Sequence, residues 1–155
     1  MSAGRVVVVG LGNRLRGDDA VGPLVAEQLS GRTPPDVSVV SHEGDPTDLL
    51  EEWDGAGLCV VVDAVWSGAG PGTLHRIEPL AGPLKFQLDF PSSHGFDLMS
   101  TVTLGRVLGR LPRRLVVLGV EAASFERGAA LSPEVAAALP AVVAVVLAEV
   151  GSRAR

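Results

Sequence analysis

The stretch Arg5 to Gly22, RVVVVGLGNRLRGDDAVG, constrains the fold more than any other part of the chain. Val6 to Val9 are four consecutive β-branched residues, a run that suits a strand covered on both faces, as in a parallel sheet. Gly10 and Gly12 let the backbone turn where that strand ends, and Gly17 permits a positive φ just before Asp18 and Asp19. The two acids therefore stand at the mouth of the next helix. Open α/β sheets bind ligands beyond the carboxyl ends of their strands, so this loop is the first place to look for chemistry. Asp at a helix mouth is also an ordinary N-cap; if one of the pair is a cap, the other still needs a role.

The pattern Gly10-x-Gly12 invites a nucleotide-binding reading, but Leu15 stands where the third glycine of the dinucleotide fingerprint belongs. Two carboxylates at the helix start would also repel a phosphate.

Further along, Val37 to Val40 reads as a second strand and Leu58 to Val62 as a third that ends directly in Asp63. Between them Asp45 or Thr47 caps a short helix carrying Leu49, Leu50 and Trp53, stopped by Gly55. Gly72 to Ile77 alternates like an edge strand, with His75 on the surface, and Leu115 to Val120 is the last strand. Helical spacing predicts helices over Ala20 to Leu29, with Pro23 making the first turn irregular, over Leu98 to Leu111, and over Pro133 to Val150, with Ser132 as cap. The segment from Glu78 to Ser93 has no regular period and is expected to be a functional or mobile loop. The fold class is thus α/β, a mostly parallel sheet of about five strands.

With 155 residues, 46% of them apolar, the chain supports a single domain over residues 1–155 around one core. A net charge of −5 without an extended basic run disfavours nucleic acid and anionic membranes as partners. Cys59 is the only cysteine and lies in an apolar run; it is expected to be a buried core thiol in a reduced, cytoplasmic setting rather than a nucleophile. No signal-peptide pattern is read at the amino terminus. The last helix is strongly apolar, but its run from Val135 to Ala148 falls short of the ~20 residues a bilayer needs and Pro140 interrupts it. It is expected to pack on the sheet, with no membrane insertion.

Three residues stand out chemically. Asp19 follows the first strand; Asp63 ends an otherwise apolar run, where an unpaired charge costs several kcal/mol; His94 precedes a helix, as a cap-like group or as a nitrogen ligand. Two carboxylates and an imidazole on one sheet edge would suit a borderline divalent ion such as Ni²⁺ or Zn²⁺. They also allow hydrolysis by carboxylate-activated water. The absence of G-x-S-x-G disfavours a serine hydrolase, and the setting of Cys59 a thiol one.

Five segments, GLGNRLRGDDAVG, VVVDAV ending in the strand of Asp63, PGTL at Pro71 to Leu74, SSHG around His94, and LGVEAASFERGAALSPEV, resemble the hydrogenase maturation proteases, in that order and along nearly the whole chain. The resemblance implies a twisted sheet with helices on both faces. It implies an aspartic-type or metal-dependent endopeptidase that removes a carboxyl-terminal extension from the large-subunit precursor of a nickel-iron hydrogenase after nickel insertion. It further implies that Asp19, Asp63 and His94 engage nickel supplied by that substrate, with Asp18 left as a cap or loop brace; other divalent ions such as Zn²⁺ could occupy the same site. The first acid of the family is often Glu, one methylene longer than Asp19. An alternative is a nickel-sensing chaperone or binding module that docks on the same precursor without cutting it. Oligomeric state is left open by the sequence.

Overall fold

Valine runs form the middle of one five-stranded sheet in a computed structural model that describes residues 4–82 and 97–152. The strands are β1 (Val6–Leu11), β2 (Val37–His42), β3 (Leu58–Val65), β4 (Leu74–Ile77) and β5 (Arg114–Glu121), in the order β2-β1-β3-β5-β4. All neighbours are parallel except β4, which runs antiparallel along β5. The mostly parallel sheet read from the sequence is the one that forms.

Alternate valines face opposite sides. Val6, Val8, Val60, Val62 and Val116 pack against α1 (Val21–Gln28) and α4 (Pro133–Gly151). Val7, Val9, Cys59, Val61 and Val117 pack against α2 (Pro46–Trp53) and α3 (Leu98–Leu108). Each fully buried Val or Leu stabilises by about 1.5–3 kcal/mol, so the two helix layers, not hydrogen bonding, dominate the favourable side. By length and composition α4 could cross a membrane, yet Val135, Leu139, Val142, Val143, Val146 and Val150 are buried in the core of this same fold.

Several details depart from the sequence reading. β1 does not turn at Gly10 but continues to Leu11; the turn starts at Gly12, whose φ is 142°. Gly10 has a packing role instead, because a Cβ there would lie 2.2 Å from the carbonyl oxygen of Gly22. Neither Asp18 nor Asp19 is an N-cap: both lie inside a 3₁₀ turn, Gly17–Ala20, which leads directly into α1. Pro23 falls in the first turn of α1, where its missing N–H costs nothing. β3 does not stop at Asp63 but runs to Val65, with Asp63 opposite Gly119. His75 is not a surface residue; its side chain is only 14% exposed and sits 3.0 Å from the Glu121 carboxylate. Ser132 does not cap α4 with its side chain. Asp45 does cap α2 through the Thr47 N–H. Of the loop expected from Glu78 to Ser93, the part from residue 83 onward lies outside the described residues.

Asp18 explains the misplaced Ser132. Its carboxylate is 1% exposed and accepts the N–H groups of Ala123 (2.7 Å), Ser124 (3.1 Å) and Ser132 (2.8 Å), together with the Ser132 hydroxyl. One side chain thus ties the first loop to the segment after β5 and to the start of α4. Asp18→Ala would strand those donors in a buried setting, a loss of about 3 kcal/mol, larger than the ~1 kcal/mol of an ordinary cap. We expect Asp18→Ala to lower Tm by about 10 °C in thermal unfolding; a fall of a degree or two would show that the brace is dispensable.

Candidate functional site

The carboxyl ends of β1 and β3 meet at one edge of the sheet, and the path of the first loop is dictated by close backbone contact. A Cβ on Gly12 would lie 1.9 Å from the Asp19 carbonyl oxygen and 3.3 Å from its Oδ1, so only glycine lets the loop fold onto the 3₁₀ turn. Gly22, at the start of α1, would carry a Cβ 2.2 Å from the Leu11 carbonyl and 2.6 Å from that of Val62. Val62 directly precedes Asp63. The same contact that seats α1 therefore brings the turn holding Asp19 to the strand holding Asp63.

Both acids are almost fully buried, Asp19 at 3% and Asp63 at 6% exposure. Asp19 Oδ2 accepts the Asn13 N–H at 2.9 Å and lies 3.8 Å from Arg16 Nη1. Asp63 Oδ1 accepts the N–H of the next residue, Ala64, at 2.9 Å, and among the described residues no Lys or Arg forms an ion pair with it. Burial pushes the Asp63 carboxyl well above the usual range; the charge of Asp19 raises it further, the Ala64 N–H opposes, and Asp97 adds to the rise. Burial likewise raises Asp19, against the pull of the Asn13 N–H and Arg16, with Glu43 adding repulsion. Four acids thus share one field at this edge. Such a cluster holds a proton or attracts a cation, and either makes it chemically competent.

His94 lies outside the described residues, three positions before Asp97 in the chain. Asp97, missed by the sequence reading, is the N-cap of α3, accepting the Ser100 N–H at 2.7 Å. The signal was present: an Asp immediately before the apolar run Leu98, Val102. Among the described residues no three or more His, Cys, Asp or Glu side chains gather as a metal-holding group; what converges is the pair Asp19 and Asp63. Beside Asp19 opens a cleft of about 320 Å³ whose lining includes Gly12, Asn13, Leu15, Pro23, His42 and Glu43.

A second polar cluster lies at the end of β5. Glu121 is 1% exposed. Its Oε1 accepts the Ser67 hydroxyl at 2.5 Å and lies 3.0 Å from His75 Nε2; its Oε2 accepts the Ser67 N–H at 2.8 Å. Burial pushes the Glu121 carboxyl up, but these hydrogen bonds outweigh it and hold the group below its ordinary value. A nucleophilic serine must give its proton to the imidazole, whereas Ser67 gives its proton to the carboxylate and stands 3.5 Å from His75. This is a brace between β4, β5 and the loop after β3. Cys59 is fully buried, and burial pushes its thiol up, away from the reactive thiolate.

Known proteins share the sequence family and the fold. Residues 23–149 match the family model described as hydrogenase maturation protease, a span that includes Asp63 and His94 and begins after Asp19. The hydrogenase 2 maturation protease of Escherichia coli K12 is 29% identical over 147 residues, covering 93% of this chain and 89% of that protein. The coenzyme F420 hydrogenase subunit delta of Methanothermobacter thermautotrophicus is 30% identical, with 94% of each chain covered. The solved structure of the hydrogenase maturating endopeptidase HybD from Escherichia coli superposes with a TM-score of 0.75 at 26% identity, covering 94% of this chain and 91% of that one. A family match over most of the length, with the same sheet beneath it, means that the chain belongs to the hydrogenase maturation protease family.

Proposed function

We propose that the chain is an endopeptidase that removes the carboxyl-terminal extension of a nickel-iron hydrogenase large-subunit precursor once nickel is in place, and that Asp19, Asp63 and His94 engage the nickel carried by that substrate. The observation that carries this reading is the pair of buried, raised carboxylates at an open sheet edge, Asp63 having no cationic partner among the described residues. A cation brought by the precursor would supply the missing positive charge and favour ionisation of both acids. Leu15, in the first loop, and Trp66, three residues after Asp63 in the chain, are exposed at 67% and 48%. An open, apolar-rimmed edge suits a polypeptide better than a small molecule.

In the hydrolytic step an ionised aspartate takes a proton from water as the oxygen attacks the scissile carbonyl. The same carboxyl then returns the proton to the leaving amine, so that one peptide bond is exchanged for a carboxylate and an amine. Asp19 and Asp63, both raised by burial, are the two candidates for that proton carrier. The endopeptidase is therefore of aspartic type with a metal-bearing substrate. Ser67 and Cys59 have no part in it.

Mass spectrometry of nickel-loaded precursor incubated with the protein tests the reading. We expect loss of a carboxyl-terminal peptide, abolished by Asp19→Asn, Asp63→Asn or His94→Ala. An intact precursor held in a stable complex would instead favour the non-catalytic binding module. Cys59→Ala should cost about 1 kcal/mol of stability and leave cleavage unchanged; loss of cleavage in a folded Cys59→Ala protein would move the mechanism to a thiol.

The raised acids also make a stability prediction. A carboxyl whose folded pKa lies above its unfolded value of 3.8 binds its proton more tightly in the folded protein. Its contribution is present in full below 3.8 and is lost as pH rises through the folded value. We therefore expect Asp63→Asn to raise Tm at pH 7 and to flatten the decline in stability as pH rises above 3.8. An unchanged or lowered Tm at pH 7 would mean that Asp63 is already compensated.

A further inference from the structure

Asp19 has one cationic neighbour among the described residues, and its placement is unusual. Arg16 sits one turn earlier, its Nη1 3.8 Å from Asp19 Oδ2, beyond hydrogen-bond reach of an oxygen that already accepts the Asn13 N–H. That Nη1 is buried and has no hydrogen-bond partner among the described residues. The guanidinium carbon lies 5.7 Å from the centroid of Phe125, whose ring in turn meets Trp66 at 6.0 Å. The guanidinium thus gives Asp19 a positive charge without a directional bond, and lies over the ring of Phe125. A brace looks different: Asp18, one residue away from Asp19, accepts the N–H groups of Ala123, Ser124 and Ser132.

We infer that Arg16 is a selectivity determinant, a resident counter-ion that shields Asp19 from free divalent cations so that the site yields only to metal presented by the bound precursor. This rests on the reading that Asp19 engages metal. A dication approaching Asp19 Oδ2 meets a positive charge less than 4 Å from that oxygen, and Trp66, whose ring meets that of Phe125 beneath Arg16, is exposed and accessible to a polypeptide that brings the metal.

Calorimetric titration of the purified full chain with Ni²⁺ alone tests this. Arg16→Gln should bind Ni²⁺ about tenfold more tightly than the wild type, Arg16→Lys should bind like the wild type, and Asp19→Asn in the Arg16→Gln background should remove the gain. A residue that merely held the loop together would weaken binding when replaced. Affinity in Arg16→Gln equal to or below wild type, with the fold intact by circular dichroism, overturns the role of Arg16. If Asp19→Asn at the same time still abolishes precursor cleavage, the metal reading of Asp19 survives that loss. A gain that persists in the double variant, with cleavage unaffected by Asp19→Asn, overturns both.

Discussion

The structure depends on the absence of a side chain at Gly22. Its Cα side faces the carbonyl oxygens of Leu11 and Val62 so closely that any Cβ would lie within 2.6 Å of both, and neither strand can move aside without breaking its ladder. Helix α1 can therefore begin only where β1 ends beside Val62 of β3. Everything chemical follows from that seat: the 3₁₀ turn ahead of α1 is pressed against Gly12, Asp19 is held in the angle, and Asp63 follows Val62 on the strand beneath. A larger residue at 22 would move the helix start and, with it, one acid away from the other.

Two adjacent acids on this turn meet opposite environments. Asp18 points toward β5 and α4 and collects backbone donors on both oxygens; Asp19 points toward the sheet edge, keeps one backbone donor and feels the charges of Arg16 and Glu43. Neighbouring residues cannot share a face, so a tandem pair is an economical way for one short turn to be locked from behind and charged in front. The lock stabilises, and the charged side costs stability because its carboxylate is buried with too few donors. Destabilised groups of this kind persist where function needs them.

Much of this was readable in the sequence, for reasons that are local. Runs such as Val6–Val9 and Leu58–Val62 are short, apolar and rich in β-branched residues, which suits doubly covered strands, and the glycine spacing before Asp18 and Asp19 marks a turn. What was not readable depends on partners far away in the chain. Ser132 has every attribute of an N-cap, yet its hydroxyl goes to Asp18, 114 residues earlier. His75 sits in an alternating edge strand and reads as solvated until Glu121, 46 residues on, is found beside it. The end of β3 was misplaced because an aspartate looks like a strand terminus, whereas Asp63 is tolerated inside the ladder opposite Gly119. Gly10 and Gly12 both read as turn residues; only Gly12 turns, and the other makes room for a helix that local sequence does not locate.

The contrast between Asp63 and Glu121 shows what sets two buried carboxylates apart. Both are carboxylates near the carboxyl ends of adjacent parallel strands, both are nearly inaccessible, and burial pushes both upward. Glu121 nevertheless ends below its ordinary value, because a hydroxyl, an amide and an imidazole converge on it. Asp63 receives the N–H of its own neighbour, and the charges acting on it, Asp19 and Asp97, have its own sign. Burial alone therefore does not separate a structural acid from a reactive one; the supply of donors does. By that criterion the Glu121 cluster, although it contains a serine, a histidine and an acid, is complete in itself, while Asp63 has one backbone donor and no cationic partner among the described residues.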